Sequence, residues 1–329
     1  MRRKFTAAFL LAFFLLIGAE AVVRVFFARN MAGRFEYGYH PDAGFVEDGD
    51  NLKLVRAGGR RFYPQTLKIQ PEPGTFRIFV VGDSVPRGPN LEKAYAFQLQ
   101  ETLKTNGFKA EAYNLCVPGY GAHRKHIVLS KALAYHPDLI ILHVNASNEY
   151  EDEREYKRSQ EFAGWHPKNW LMKSLVIRRL YEAKTEKAFW YLLPTEVRLQ
   201  GSINDADAEI AAGQNETTRA RWNERVRQWT ATSIRSAQDS HVPILLVAHA
   251  SCADMKDLAR PLNDEGLDAL VTSFQGPDIY PFSMKQALTG GDYAAIYADG
   301  SHMRAAGHQA MAEALAAYIT TNGLIKAKK

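Results

Sequence analysis

Apolar positions along this chain fall into three regimes. The first is one block: Phe5 to Val23 is broken only by Thr6, Gly18 and Glu20, and Arg2, Arg3 and Lys4 precede it. The second, residues 28–75, is polar, glycine-rich and aperiodic, with two prolines in Gln70-Pro71-Glu72-Pro73-Gly74. It reads as a lead-in that wraps the rest, with short edge strands near Lys53–Val55 and Thr66–Ile69. In the third, short β-branched runs alternate with helical periods.

That third regime predicts elements one by one. Arg77-Ile78-Phe79-Val80-Val81-Gly82 is a buried strand ending in glycine. Leu91, Tyr95, Leu99 and Leu103 recur at four-residue spacing and mark a helix that stops at Asn106-Gly107. Residues 112–117 form a second strand, residues 123–135 a helix ending before His136-Pro137, residues 138–144 a third strand and residues 242–248 a fourth. A last helix runs over 304–319, with Met311, Leu315, Tyr318 and Ile319 on one face. Alternating strands and helices with continuously apolar strands predict an α/β domain around a parallel sheet, over about 76–322, before a basic tail at 323–329. Such a sheet carries its site at the carboxyl ends of its strands.

Residues 150–240 interrupt the alternation. Glu149–Lys157 reads as a solvated charge run. An aromatic and basic stretch follows, with Trp165, Trp170, Tyr181, Trp190 and Tyr191. Residues 214–240 predict one long helix with Trp222, Val226 and Trp229 inward and Arg219, Arg225 and Arg227 outward. The stretch suits a helical cap on the sheet; a lid, a membrane-surface contact and a partner site are the functional alternatives.

Composition adds exclusions. The chain has 329 residues and a net charge of 41 − 36 = +5, with 46% hydrophobic and 23% charged residues. These values exclude a largely disordered chain. No basic stripe or reading motif indicates nucleic acid as a partner. Two cysteines, Cys116 and Cys252, exclude a disulfide-stapled scaffold and a structural cysteine-zinc site. No cofactor motif is present, and the histidines near 123–143 lack metal-ligand spacing. The first block, nineteen residues, spans roughly 28 Å as a helix, about a bilayer core. With its basic start it predicts a cytoplasmic N-terminus and an exported domain. An anchor (residues 1–27) and a cleaved signal ending at Ala19-Glu20-Ala21 both fit; the apolar run of Val22, Val23, Val25, Phe26 and Phe27 past that site favours the anchor.

Four polar signals fall just after a strand or just before the last helix. Gly82-Asp83-Ser84-Val85 places a hydroxyl where the first strand turns into a helix. Val117-Pro118-Gly119 offers an N–H with no side chain in the way. Asn145-Ala146-Ser147-Asn148-Glu149 puts a carboxamide at a strand end. Asp299-Gly300-Ser301-His302 lets a carboxylate fold back on an imidazole. Each alone reads as a turn or a cap. Together they predict a nucleophile, Ser84, a general base, His302, an orienting Asp299, and an oxyanion hole from the Ser84 N–H, the Gly119 N–H and the Asn148 side chain. Asn145 is the alternative donor.

On these four blocks the chain resembles the SGNH/GDSL hydrolases over about 77–319, apart from the middle insertion. The resemblance implies a three-layer α/β/α sandwich with a flavodoxin-like sheet. It also implies action on esters of small molecules, lipids or glycans, with no cofactor. The third block departs from the usual Gly-x-Asn-Asp by reading Ala146-Ser147-Asn148-Glu149; the asparagine is retained. The nucleophile elbow of the other common serine-esterase fold is absent, because Val85 and Pro86 follow Ser84. A hydrolase at the outer face of a membrane is the leading expectation. An O-acyltransferase on an exported glycan and a non-catalytic envelope module are the alternatives.

Overall fold

The computed structural model describes residues 2–27, 44–54, 62–161, 164–185, 196 and 208–325. Residues 28–43 and 55–61 of the lead-in, Trp190, Tyr191 and residues 326–329 of the basic tail lie outside the described residues.

Five strands form the parallel sheet: β4 (Phe76–Val81), β5 (Ala110–Asn114), β6 (Leu139–Val144), β7 (Ile244–Ala248) and β8 (Ile279–Ser283), in the order β5-β4-β6-β7-β8. Numbered within the sheet, that order is 2-1-3-4-5, the flavodoxin-like doubly wound arrangement, whose direction of winding reverses beside β4. Both faces of the central strands are covered. Ile78 and Val80 point into one apolar cluster with Leu99, Leu103, Met311 and Leu315, while Phe79 and Val81 point into the other with Val128, Leu129, Val226 and Ile234. The first cluster packs α3 (Tyr95–Thr105) and the last helix, Ala305–Thr321, on one side. The second packs α4 (Ala122–Ala132) and the long helix Glu216–Asp239 on the other. The molecule is thus a three-layer α/β/α sandwich, and the continuously apolar strands follow from burial on two faces.

β8 was not expected from the sequence. Its segment, Ile-Tyr-Pro-Phe-Ser, is short, contains proline and is only partly buried. Proline is tolerated there because β8 is an edge strand. The predicted second strand is displaced: pairing with β4 runs from Ala110 to Asn114, and 115–117 is already loop.

The lead-in folds as a separate antiparallel sheet of β1 (Phe45–Asp48), β2 (Asn51–Leu54) and β3 (Gln65–Lys68). Arg77, fully buried, ties it to the main domain by donating to the carbonyls of Lys68 (2.7 Å), Ile69 (3.0 Å) and Tyr135 (2.7 Å) and pairing with Glu111. Gln65 also protects the free edge of β5. Its amide donates to the Asn114 carbonyl and accepts from the Asn114 N–H, both at 2.9 Å, as a neighbouring strand would.

α1 (Arg2–Phe27) projects as one helix, in which Ala8–Phe26 has a mean hydropathy of 2.2 and is long and apolar enough to cross a membrane. The interruption after β6 holds α5 (Glu149–Glu161), α6 (Pro167–Leu171) and α7 (Leu175–Thr185) before the long helix.

Candidate active site

Ser84 leaves the carboxyl end of β4 as the first residue of a four-residue helix, α2 (Ser84–Arg87), capped by Asp83. The exit needs a glycine. A Cβ on Gly82 would lie 2.2 Å from Cγ of Pro86 and 3.1 Å from Cβ of His143. Ser84 also begins its helix, so its N–H is one of the first-turn donors that lack an intrahelical acceptor.

Across 218 positions of sequence, the loop before the last helix meets it. Ser84 Oγ lies 2.9 Å from His302 Nε2, and His302 Nδ1 lies 2.9 Å from Asp299 Oδ2. With the Nδ1 proton given to the carboxylate, Nε2 is left as an acceptor for the serine hydroxyl. The loop is rigid for local reasons: Asp299 Oδ1 accepts from the N–H groups of Ser301 (2.8 Å) and His302 (2.7 Å). Partial burial acts to raise the Asp299 carboxyl, but those two N–H groups and the His302 ring outweigh it and hold it below its ordinary value. Such an arrangement can deprotonate a hydroxyl and keep the resulting imidazolium stable.

Gly119 follows β5 with φ 75°, a left-handed backbone that glycine adopts without strain. Its carbonyl accepts from Arg124 Nη2 at 2.8 Å. Asn148, after β6, is also left-handed (φ 67°), and its Nδ2 donates to Ser147 Oγ at 3.0 Å, leaving one amide hydrogen for another acceptor. The two asparagines differ in direction. Asn145 accepts from the Ser147 N–H at 3.0 Å, and its Nδ2, which has no hydrogen-bond partner among the described residues, lines a small cavity with Lys125, His143, Val226 and Thr230. That cavity lies under the long helix and is lined by none of Ser84, Gly119 or His302.

Beneath this surface is a second polar layer that sequence reasoning missed. Asp83 is fully buried; its Oδ2 accepts from Lys125 Nζ at 2.8 Å and its Oδ1 from the Val85 N–H at 2.9 Å. Burial acts to raise its pKa, but Lys125 overrides this and brings it to about 2. Glu149 and Asp152, read from sequence as part of a solvated face, are buried as well. Glu149 accepts from the Ala122 N–H (2.7 Å) and Asp152 from the His123 N–H (3.0 Å) and Arg124 Nε (2.6 Å), so both carboxylates cap α4 immediately after the Gly119 loop. Arg225, expected to face outward, turns in and contacts Glu149 (3.3 Å) and Asp152 (3.5 Å). Burial, and then the neighbouring Asp152 charge, push the Glu149 carboxyl above its ordinary value. Glu149 follows Asn148 directly, so this network ties the Asn148 loop to the Gly119 loop. The one sequence signal was the run's position straight after a strand.

Histidines form a further buried layer. His249 Nε2 lies 3.2 Å from Ser301 Oγ, and its Nδ1 lies 3.3 Å from Nε2 of the fully buried His143. The Asp299–His302 loop therefore rests on β6 and β7. His308 is also fully buried, accepting from the Tyr95 N–H at 3.3 Å. Cys116 and Cys252 are both free and buried.

No protein-family model matches the chain, and no curated protein matches it. Solved structures similar to it include acylhydrolases, lipases and esterases, two of them of the GDSL type. A GDSL-like lipase from Bacteroides thetaiotaomicron is 11% identical, with a TM-score of 0.42 over 77% of this chain and 92% of its own. A lipase/acylhydrolase from Enterococcus faecalis is 14% identical, with a TM-score of 0.43 over 77% of this chain and 99% of its own. A salicylyl-acyltransferase from a tetracycline biosynthetic pathway is 11% identical, with a TM-score of 0.41 over 80% of this chain and 60% of its own.

Proposed function

We propose that the protein cleaves carboxylic esters through an acyl-enzyme on Ser84. The observation that carries this reading is the hydrogen-bonded chain Ser84–His302–Asp299, with both links at 2.9 Å. Ser84 Oγ attacks the ester carbonyl as His302 Nε2 takes its proton, and Asp299 stabilises the imidazolium. The developing oxyanion is received by the Ser84 N–H, the Gly119 N–H and Asn148 Nδ2. His302 then returns the proton to the departing alcohol. A water molecule, deprotonated by the same imidazole, releases the acid and restores the serine. The His302 and Asp299 side chains are 46% and 59% exposed, which supports water as the acceptor rather than a second alcohol.

The reading places this chemistry at the outer face of a membrane. α1 is the anchor, and the basic residues of its first turn keep its start in the cytoplasm. Acetyl, butyryl, palmitoyl and thioester substrates are to be tested with the purified full-length protein and with Ser84→Ala. Turnover by the first and none by the second is expected, with product acid unaffected by added alcohols or glycans. Product that appears only as an acylated glycan would replace hydrolysis by transfer.

A further inference from the structure

We propose that residues 164–185 form a foot on the membrane surface: the segment is docked on the emerging end of α1 and lays its tryptophan-bearing face on the outer lipid leaflet. This rests on the reading of α1 as a retained anchor.

Glu20 is the starting point. A carboxylate inside an apolar membrane helix is costly unless it has partners. Among the described residues its partners come from the foot and from its own helix. It accepts from Ser174 Oγ at 2.8 Å, from the Leu175 N–H at 2.9 Å and from the Val176 N–H at 3.1 Å. It also pairs with Arg24 at 2.8 Å, and Arg24 donates to the Lys173 carbonyl at 3.3 Å. The first N–H groups of a helix lack intrahelical acceptors and carry its positive dipole end. Glu20 thus caps α7 from another helix, and the residue that looked anomalous in the anchor is a staple between anchor and foot.

The staple also sets a depth. Glu20 stands six residues before Phe26, the last residue of the membrane-length stretch, or about 9 Å along the axis. The start of α7 is therefore held near the outer end of that stretch, on the side of the interfacial zone. Its surroundings suit that position. Trp165 is 90% exposed, and Trp170, Leu171 and Leu180 are exposed beside it, as are Val25 and Phe26 at the end of α1. Tryptophans with an apolar body and one N–H favour this zone over water. From Gly164 to Tyr181, Lys168, Lys173 and Arg179 are exposed and Arg178 is buried, and no acidic residue occurs before Glu182. That charge is complementary to lipid phosphates and opposite to what a water-facing acidic surface would show. By contrast, Trp222 on the long helix is buried.

Full-length protein, in a Trp190→Phe background, is to be reconstituted in phosphatidylcholine–phosphatidylglycerol vesicles whose chains are brominated near the headgroup end. We expect tryptophan emission to be quenched by the brominated lipid, and that quenching to be lost in Trp165→Ser/Trp170→Ser while esterase activity is kept. Glu20→Cys with Ser174→Cys is expected to form an intramolecular disulfide in the same vesicles. Flotation after an alkaline wash reports the anchor alone. Vesicles that float without quenching overturn the foot and leave the anchor standing; protein that does not float overturns both. Tryptophans shielded from lipid and from aqueous iodide in a dimer would assign this face to a second copy of the chain and overturn the proposal.

Discussion

Two acid–base pairs flank Ser84, built from similar groups and set in opposite surroundings. Asp299 and His302 stand at the surface, 59% and 46% exposed, on a loop held by its own N–H groups. Asp83 and Lys125 stand below, 0% and 3% exposed, joined at 2.8 Å. Exposure divides their work. A surface imidazole can exchange protons with water and substrate, whereas a buried ammonium–carboxylate pair is fixed in its charge state by the desolvation that either partner alone would suffer. The upper pair suits chemistry; the lower pair holds the turn from which Ser84 projects.

That contrast predicts opposite responses to matched substitutions. Asp299→Asn is expected to lower kcat by about 10⁴-fold while leaving the unfolding midpoint unchanged, since its loss disturbs the imidazole tautomer and little packing. Steady-state kinetics and denaturant unfolding of one preparation read both. Lys125→Met is expected to destabilise the fold by about 3–5 kcal/mol by leaving Asp83 buried and unpaired. Adding Asp83→Asn should recover much of that loss, and a double variant no more stable than the single one would show that the pair is not the unit argued here.

The same contrast explains what the sequence revealed. Asp299 and His302 stand three positions apart, so a local pattern exposes them. The strands were legible because burial on two faces leaves an uninterrupted apolar run, and the 2-1-3-4-5 order agrees with the expected flavodoxin-like sheet. The lower layer was hidden because its partners are remote: Asp83 meets Lys125 across 42 positions, and Glu149 meets Arg225 across 76. A run such as Glu149–Lys157 carries no mark of which acids will be buried. Arg225 sat on the face assigned to water because helical periodicity identifies an apolar stripe, not a charged residue turned inward to neutralise buried carboxylates. β8 escaped because an edge strand needs neither strong periodicity nor the exclusion of proline.

Smaller effects sharpen the division. Asn148→Ala is expected to lower kcat by about 10²–10³-fold with little change in KM, as for loss of one oxyanion donor. Asn145→Ala, whose side chain faces the cavity under the long helix, should leave kcat within a few-fold; the reverse pattern would move the oxyanion donor to Asn145. The weakest signal is in pH. Burial holds His249 and His308 at about 4, against an ordinary 6.5. In the unfolded chain they take up protons first, so the stability they contribute is present above pH 6.5 and is lost as pH falls from 6.5 to 4. Glu149 acts in the other sense: its carboxyl is raised in the folded chain, which therefore binds that proton first, so its contribution is lost as pH rises above the ordinary carboxylate range. Thermal unfolding between pH 4 and 8 should therefore show a shallower acid-side decline in His308→Gln than in the wild-type protein.

The central claim is that Ser84 is the residue that bonds to the acyl group. Full-length protein is to be treated with a fluorophosphonate, digested and mapped by mass spectrometry. A single phosphonyl adduct is expected on the peptide carrying Gly82-Asp83-Ser84-Val85, formed more slowly in His302→Ala and absent in Ser84→Ala. An adduct on any other residue, or undiminished labelling of the Ser84→Ala protein, would contradict it.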